Sequence, residues 1–292
     1  MGDPRAVPPG GALSATAGRA ELIRALGAVT VLSGGSRRRV EDALGLEPIS
    51  DEEHTEVFVL ECPPYVSIHL GPEGKLGGDA ADRVAGYFRA LGLPPPREPD
   101  HLATVLDLYA SLGEVEAPGR AREALLFEHV WSWVPVYLQA VTELGSARAR
   151  SWAELLRRCL EDEVASAAAP GRLPVALRLA PSADDLSMGR DDVLATATVP
   201  VRSGIVLTRA RLRAAATALG AGLRMGERRY ALAALIDQEP EGTLAWLTDE
   251  AERWAEAHGR RALLPDGPDP ARWWGRRAAA TASRLGALSS CV

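Results

Sequence analysis

Leu126, Val130, Trp133, Tyr137, Val141 and Leu144 recur at intervals of three and four residues, so on an α-helix they share one face. A stripe of that width must be covered by other apolar surface, which in an all-helical chain means other helices. The period of two that marks strands is confined to short pieces such as VPVRSGIVL at 199–207, and Pro200 and Gly204 interrupt even that one. The expected class is therefore all-α, a helical bundle.

Start and stop signals divide the rest into further helices. RAELIRALGAV from Arg19 is amphipathic. Ser50 with Glu53 forms a capping box that opens a helix carrying Val57, Phe58 and Leu60, ended by Pro63 and Pro64. Asp79 is the expected cap of a helix with the stripe Val84, Tyr87, Phe88 and Leu91. Prolines 94–96 make a rigid connector, and Pro99 suits the first turn of a helix bearing Leu102, Val105, Leu106, Tyr109 and Leu112. The long stripe predicts one helix over 120–145, and Ser151 with Glu154 predicts the start of the next. Residues 1–18, rich in Pro, Gly and Ala, hold too little apolar surface to offset ordering entropy and are expected to be a disordered leader.

A polar break at Pro181, Ser182, Asp184, Asp185 and Gly189 suggests a boundary, with one helical domain over 19–189 and a helical extension or small domain over 190–292. In the second part Thr208 caps a helix that stops at Gly220, another helix runs from about Glu227 to Asp237, and a third follows Pro240 with Leu244, Leu247, Ala251 and Trp254 on one face. The first part is expected to fold without the second.

Charge follows the same division. Residues 190–292 hold 15 arginines and 12 carboxylates, a net +3, whereas residues 1–189 carry −9. An acidic first part argues against nucleic acid as its partner and suits a basic peptide. Three widely spaced cysteines, Cys62, Cys159 and Cys291, form no CxxC and point to a reducing compartment. There is no apolar run of membrane-spanning length and no signal-peptide core near the N-terminus, so a cytoplasmic location without membrane insertion is expected.

Two polar clusters stand out. In EPDH (Glu98, Pro99, Asp100, His101) the proline fits a helix start and the carboxylates suit the positive end of the helix dipole, which makes them caps and His101 an exposed first-turn residue. Glu128–His129 lies in an otherwise apolar helix beside Trp131 and Trp133. The two pairs could supply metal ligands for a helical hydrolase, yet adjacent helical residues point about 100° apart and no HExxH is present. An Arg-rich helical pair around Arg224, Arg228 and Arg229 could instead make the C-terminal part a DNA-binding regulator. Walker, GxSxG and GxGxxG motifs are missing.

Four segments in order resemble the TorD/DmsD/NarJ-type chaperones that mature molybdopterin oxidoreductases: PPYVSIHLG at 63–71, GGDAADRVAGYFRALGL at 77–93, EPDHLATVLDLYASL at 98–112 and LLFEHVWSWVPVYLQAV at 125–141. EPDH here is one residue shorter than that family's EPxDH signature. The resemblance covers residues 19–170. It implies a TorD-like all-α bundle that is not an enzyme and uses neither cofactor nor metal. Its implied partner is the twin-arginine signal peptide, or an equivalent N-terminal segment, of a molybdopterin oxidoreductase catalytic subunit, held in the cytosol until cofactor insertion. By the same resemblance Asp100 and His101 are the functional pair and Glu98 and Pro99 shape their turn. Tyr65, Glu128, His129 and Trp133 match motifs that serve packing, peptide contact or both. Carboxylates recognise guanidinium groups through charge-assisted hydrogen bonds, and an apolar groove takes the apolar stretch.

Overall fold

The computed structural model describes residues 10–114, 119–181, 189–223, 226–264 and 267–289. Among these the chain is helical with no strand; one isolated antiparallel bridge pairs Tyr65 with His101. The first part contains α1 (Gly10–Val29), α2 (Gly34–Ala43), α3 (Asp51–His54), α4 (Val66–Leu70), α5 (Gly78–Ala90) and α6 (Leu102–Gly113). It continues with α7 (Gly119–Leu125), α8 (Val134–Glu143), α9 (Ala147–Ser166) and α10 (Val175–Arg178). Then follow α11 (Arg190–Ala197), α12 (Pro200–Ser203), α13 (Arg209–Leu219), α14 (Arg228–Gln238), α15 (Pro240–Gly259) and α16 (Pro270–Ser289).

Several expected boundaries move, each for a local reason. α1 begins at Gly10, so residues 10–18 of the expected leader are helical; residues 1–9 lie outside the described residues. The Ser50 hydroxyl does accept from the Glu53 N–H, but α3 then widens into a π-helical segment, π1 (Thr55–Glu61). Pro63 and Pro64 have no N–H to offer the carbonyls of Val59 and Leu60, and the Cys62 N–H reaches back five residues to Val57 instead. The wider turn rotates the stripe: Val57 and Phe58 stay buried, while Val59 and Leu60 are 58% and 49% exposed. The expected single helix over 120–145 is also broken, by π2 (Leu126–Val130) and a turn at 131–133. Pro135 leaves the Trp131 carbonyl without an α-helical donor, so α8 starts afresh at Val134.

Asp79 lies in the first turn of α5 and Gly77 takes the cap position. Ser146, not Ser151, caps α9, its hydroxyl accepting from the Ala149 N–H; the Ser151 hydroxyl donates to the Ala147 carbonyl. At 199–207 there is no strand: Pro200 opens α12, and Gly204 ends it with φ +79°. A Cβ at Gly204 would lie 2.4 Å from the Ala278 nitrogen, so the glycine lets this turn sit directly on the backbone of α16. Thr208 and Gly220 bound α13 as expected.

The main core does not stop at residue 189. Ile23, Leu106, Val130, Trp133, Tyr137 and Trp152 from the first part share one buried cluster with Val201, Ile205, Trp254, Trp274 and Ala278. A smaller second core joins Leu194, Leu212, Leu232, Leu235 and Leu247. α15 contributes to both, Leu244 and Leu247 to the small core and Ala251 and Trp254 to the large one. Polar links run the same way. The Trp274 indole N–H donates to the Ser132 carbonyl at 2.8 Å, and Arg253 forks onto Glu143 at 2.7 and 2.8 Å. Buried Glu61 at the end of π1 accepts from the Ala210 N–H in the first turn of α13, and from Arg213 at 3.0 Å. The large core thus runs across the polar break at 181–189, while the buried members of the small one lie wholly between Val193 and Leu285. Within the first part, buried Glu163 ties four helices together through Tyr109 (2.5 Å), Arg122 (2.6 Å) and Arg19 (3.4 Å).

Candidate functional site

The EPDH turn is a clamp on α4. The Val66 N–H donates to the Asp100 carbonyl at 2.9 Å and the Leu102 N–H to the Pro64 carbonyl at 2.8 Å, which sets Tyr65 opposite His101. The Asp100 carboxylate then accepts from the Ser67 N–H at 3.0 Å, satisfying a donor in the first turn of α4. His101 is the cap of α6: its Nδ1 accepts from the Ala103 N–H at 3.1 Å, and its ring stands edge-on to Tyr65 with centroids 4.8 Å apart. Burial holds the His101 pKa below the usual imidazole value, with Glu98 and Asp100 opposing. Asp100 and His101 are 4% and 6% exposed, so the expectation of His101 as an exposed first-turn residue is corrected. The exposed carboxylate of the motif is Glu98, which accepts from the Tyr65 hydroxyl at 3.3 Å. Burial and the neighbouring Glu98 raise the Tyr65 phenol pKa.

On the other side of Val66 lies a 330 Å³ cavity walled by Val66, Leu70, Ala80, Val175 and Ala176, with Arg83, Glu128 and His129 as its polar members. One Glu128 oxygen accepts from the Val175 N–H at 2.6 Å and so holds the start of α10. His129 stands edge-on to Tyr87 at 5.3 Å; burial, with the Arg83 charge nearby, pushes its pKa down to about 4. Trp133 is fully buried. Its indole N–H donates to the His129 carbonyl at 2.8 Å and its ring stacks on His69 at 5.0 Å. It is a core residue, in keeping with the packing role among those the resemblance allows.

The sequence-derived candidates thus fall into two groups joined by residues 65 and 66: the turn of Tyr65, Glu98, Pro99, Asp100 and His101, and the cavity with Glu128 and His129. Sequence reasoning missed Ser67, Arg83 and Val175. Arg83 was within reach of it, because it stands one turn after Ala80 and one before Tyr87 on the same helix face. Among the described residues no three His, Cys, Asp or Glu side chains converge as a metal-holding group, and no helix is long and apolar enough to cross a membrane. Arg224 of the suggested DNA-reading pair lies outside the described residues, and Arg229 reaches Asp191 at 3.9 Å.

Residues 16–139 match the family model described as nitrate reductase delta subunit. No curated protein matches the chain.

Proposed function

We propose, from the match of residues 16–139 to the nitrate reductase delta subunit family model, that the chain is a molybdoenzyme maturation chaperone of the NarJ/TorD type and holds the twin-arginine signal peptide or N-terminus of a molybdopterin oxidoreductase catalytic subunit in the cytosol during cofactor insertion. The observation that carries the reading is the pairing of an exposed carboxylate with an adjacent apolar cavity. Glu98 stands at the surface beside Tyr65, and Val66, the next residue, opens onto the 330 Å³ space lined by Leu70, Ala80 and Ala176. A guanidinium can fork onto a carboxylate, and an apolar side chain following it can enter the cavity. Asp100 and His101 serve as positioning residues, since they fix α4 and α6 on either side of that turn. The −9 charge of residues 1–189 draws a basic peptide toward it.

Calorimetry of the full chain with a peptide carrying paired arginines and an apolar stretch tests this. Saturable binding that weakens with added salt and with Glu98→Gln is expected. Equal binding of a Lys-Lys peptide and of a scrambled one would sink the proposal.

A further inference from the structure

The opposite side of α4 faces a second concavity. A groove of 890 Å³ runs between π1 and the loop at 72–76 on one side and α11, α12 and the start of α14 on the other, with Ile68 of α4 in its floor. Its size is at the upper end of what ligand clefts span. Four of the eight large apolar side chains exposed among the described residues line it: Val59, Leu60, Leu76 and Tyr230. Such concentration marks a binding surface more than scattered exposure does.

The charge of the groove is opposite to that of the chain. Lys75, Arg202, Arg209, Arg228 and Arg229 line it against Glu73 and Glu227, a surplus of three positive charges on a chain of net −6. Among the described residues Lys75, Arg202, Arg209 and Arg228 have no carboxylate in ion-pair contact, whereas Arg24, Arg37, Arg122, Arg211 and Arg253 each have one or more. Arg202 and Arg228 donate only to carbonyls, of Pro72 at 2.6 Å and Leu207 at 3.2 Å. Burial lowers the Arg228 pKa, with the neighbouring Arg209 charge adding to it and Cys62 and Glu61 opposing, and no carboxylate lies within ion-pair distance of its guanidinium among the described residues. A partly buried, unpaired cation is costly in the free protein, and that cost is relieved when an anion arrives.

We infer that this groove binds a second segment of the client polypeptide, an amphipathic stretch in which large apolar side chains alternate with Asp and Glu. The inference rests on the chaperone reading for the identity of the partner, but the groove requires the opposite charge. A paired-arginine segment is repelled by it, and the carboxylates of an acidic segment find guanidinium forks at its rim. The two walls favour a chain that can enter a cleft over a flat bilayer, and the apolar floor has no counterpart in a phosphate backbone.

Fluorescence anisotropy with the full chain tests the assignment. Two labelled peptides share the same helical leucine pattern, one with glutamates and one with lysines between. The glutamate peptide should bind at least about tenfold more tightly, since charge complementarity across an interface sets partner choice. Lys75→Glu with Arg209→Glu should remove or reverse that preference, and Tyr230→Ser, which removes an apolar contact common to both peptides, should weaken binding without reversing it. Lys75 and Tyr230 are exposed, so the single variants Lys75→Glu and Tyr230→Ser keep the test open if the double variant fails to fold. Equal binding of the two peptides, or affinities indifferent to these changes, would overturn the assignment. So would sedimentation with phosphatidylglycerol vesicles that the same variants abolish, without peptide binding. The paired-arginine peptide is measured on the same variants: its binding should persist when the groove is changed and fall with Glu98→Gln, so either reading can fail alone.

Discussion

Trp274 offers the sharpest test of the shared core. It sits on α16, is 1% exposed, donates to the Ser132 carbonyl in the turn after π2, and has ring neighbours Trp273 at 5.1 Å and His258 at 6.2 Å. Trp274→Ala removes a large buried side chain, which costs about 3–5 kcal/mol. It also leaves the Ser132 carbonyl without its donor, worth roughly 1–3 kcal/mol when no water reaches it. Since a tryptophan-sized cavity beside a polar group can admit water, the expected loss is about 4–5 kcal/mol. Trp274→Phe keeps most of the volume and isolates the hydrogen bond, at about 1–3 kcal/mol. Equilibrium urea unfolding followed by far-UV circular dichroism and by tryptophan fluorescence is the assay. With one core, both probes shift together to a lower midpoint with an unchanged slope. The harsher form of the perturbation, a chain ending at residue 189, should melt without cooperativity. If Trp274→Ala instead splits the curve and leaves one transition at its original midpoint, the two parts are independent and the shared interior is refuted.

The remaining predictions concern protons and the EPDH clamp. Burial pushes the pKa of His69 to about 3 and those of His129 and His258 to about 4, against about 6.5 in an unfolded chain, so as pH falls below about 6.5 the unfolded state binds more protons. Stability should therefore decline by up to about 1.4 kcal/mol per pH unit for each of the three until their folded pKa values are reached, and urea midpoints unchanged between about pH 7 and pH 5 would contradict this. Asp100→Ala removes the acceptor of the buried Ser67 N–H and should cost about 1–2 kcal/mol, whereas Glu98→Ala, at the surface, should stay within about 0.5 kcal/mol; thermal melts in which the two change equally would return both to one role.

What the sequence revealed, and what it hid, divides by range. Ser50, Thr208 and Gly220 were legible because a cap needs only its own neighbours within a turn. Leu60 was misread because the helical period counts 3.6 residues per turn, and the proline pair that forces a wider turn lies downstream of the residues it displaces. Trp133 was legible only in part. Its spacing puts it on the apolar face, and what covers that face is the His69 ring of α4, 64 residues earlier in the chain, a partner no local rule supplies. The EPDH motif was found as a cluster, but its capping roles were assigned to the wrong helix. Asp100 reaches back 33 residues to Ser67, a link no local rule contains.

That long-range link bears on the division of the chain into two parts. α4 has five residues, too short to hold its own backbone in water, so its position is set by what grips it. One grip comes from the family-matched part, through Asp100 on the Ser67 N–H. The other comes from the C-terminal part, where Arg202 donates to the Pro72 carbonyl just past the end of α4 and α12 packs against it. Val66 and Leu70 wall the cavity beside Glu128, and Ile68 floors the groove beside Arg228. Residues 190–292 thus supply one of the two supports that hold α4, Asp100 on the Ser67 N–H being the other.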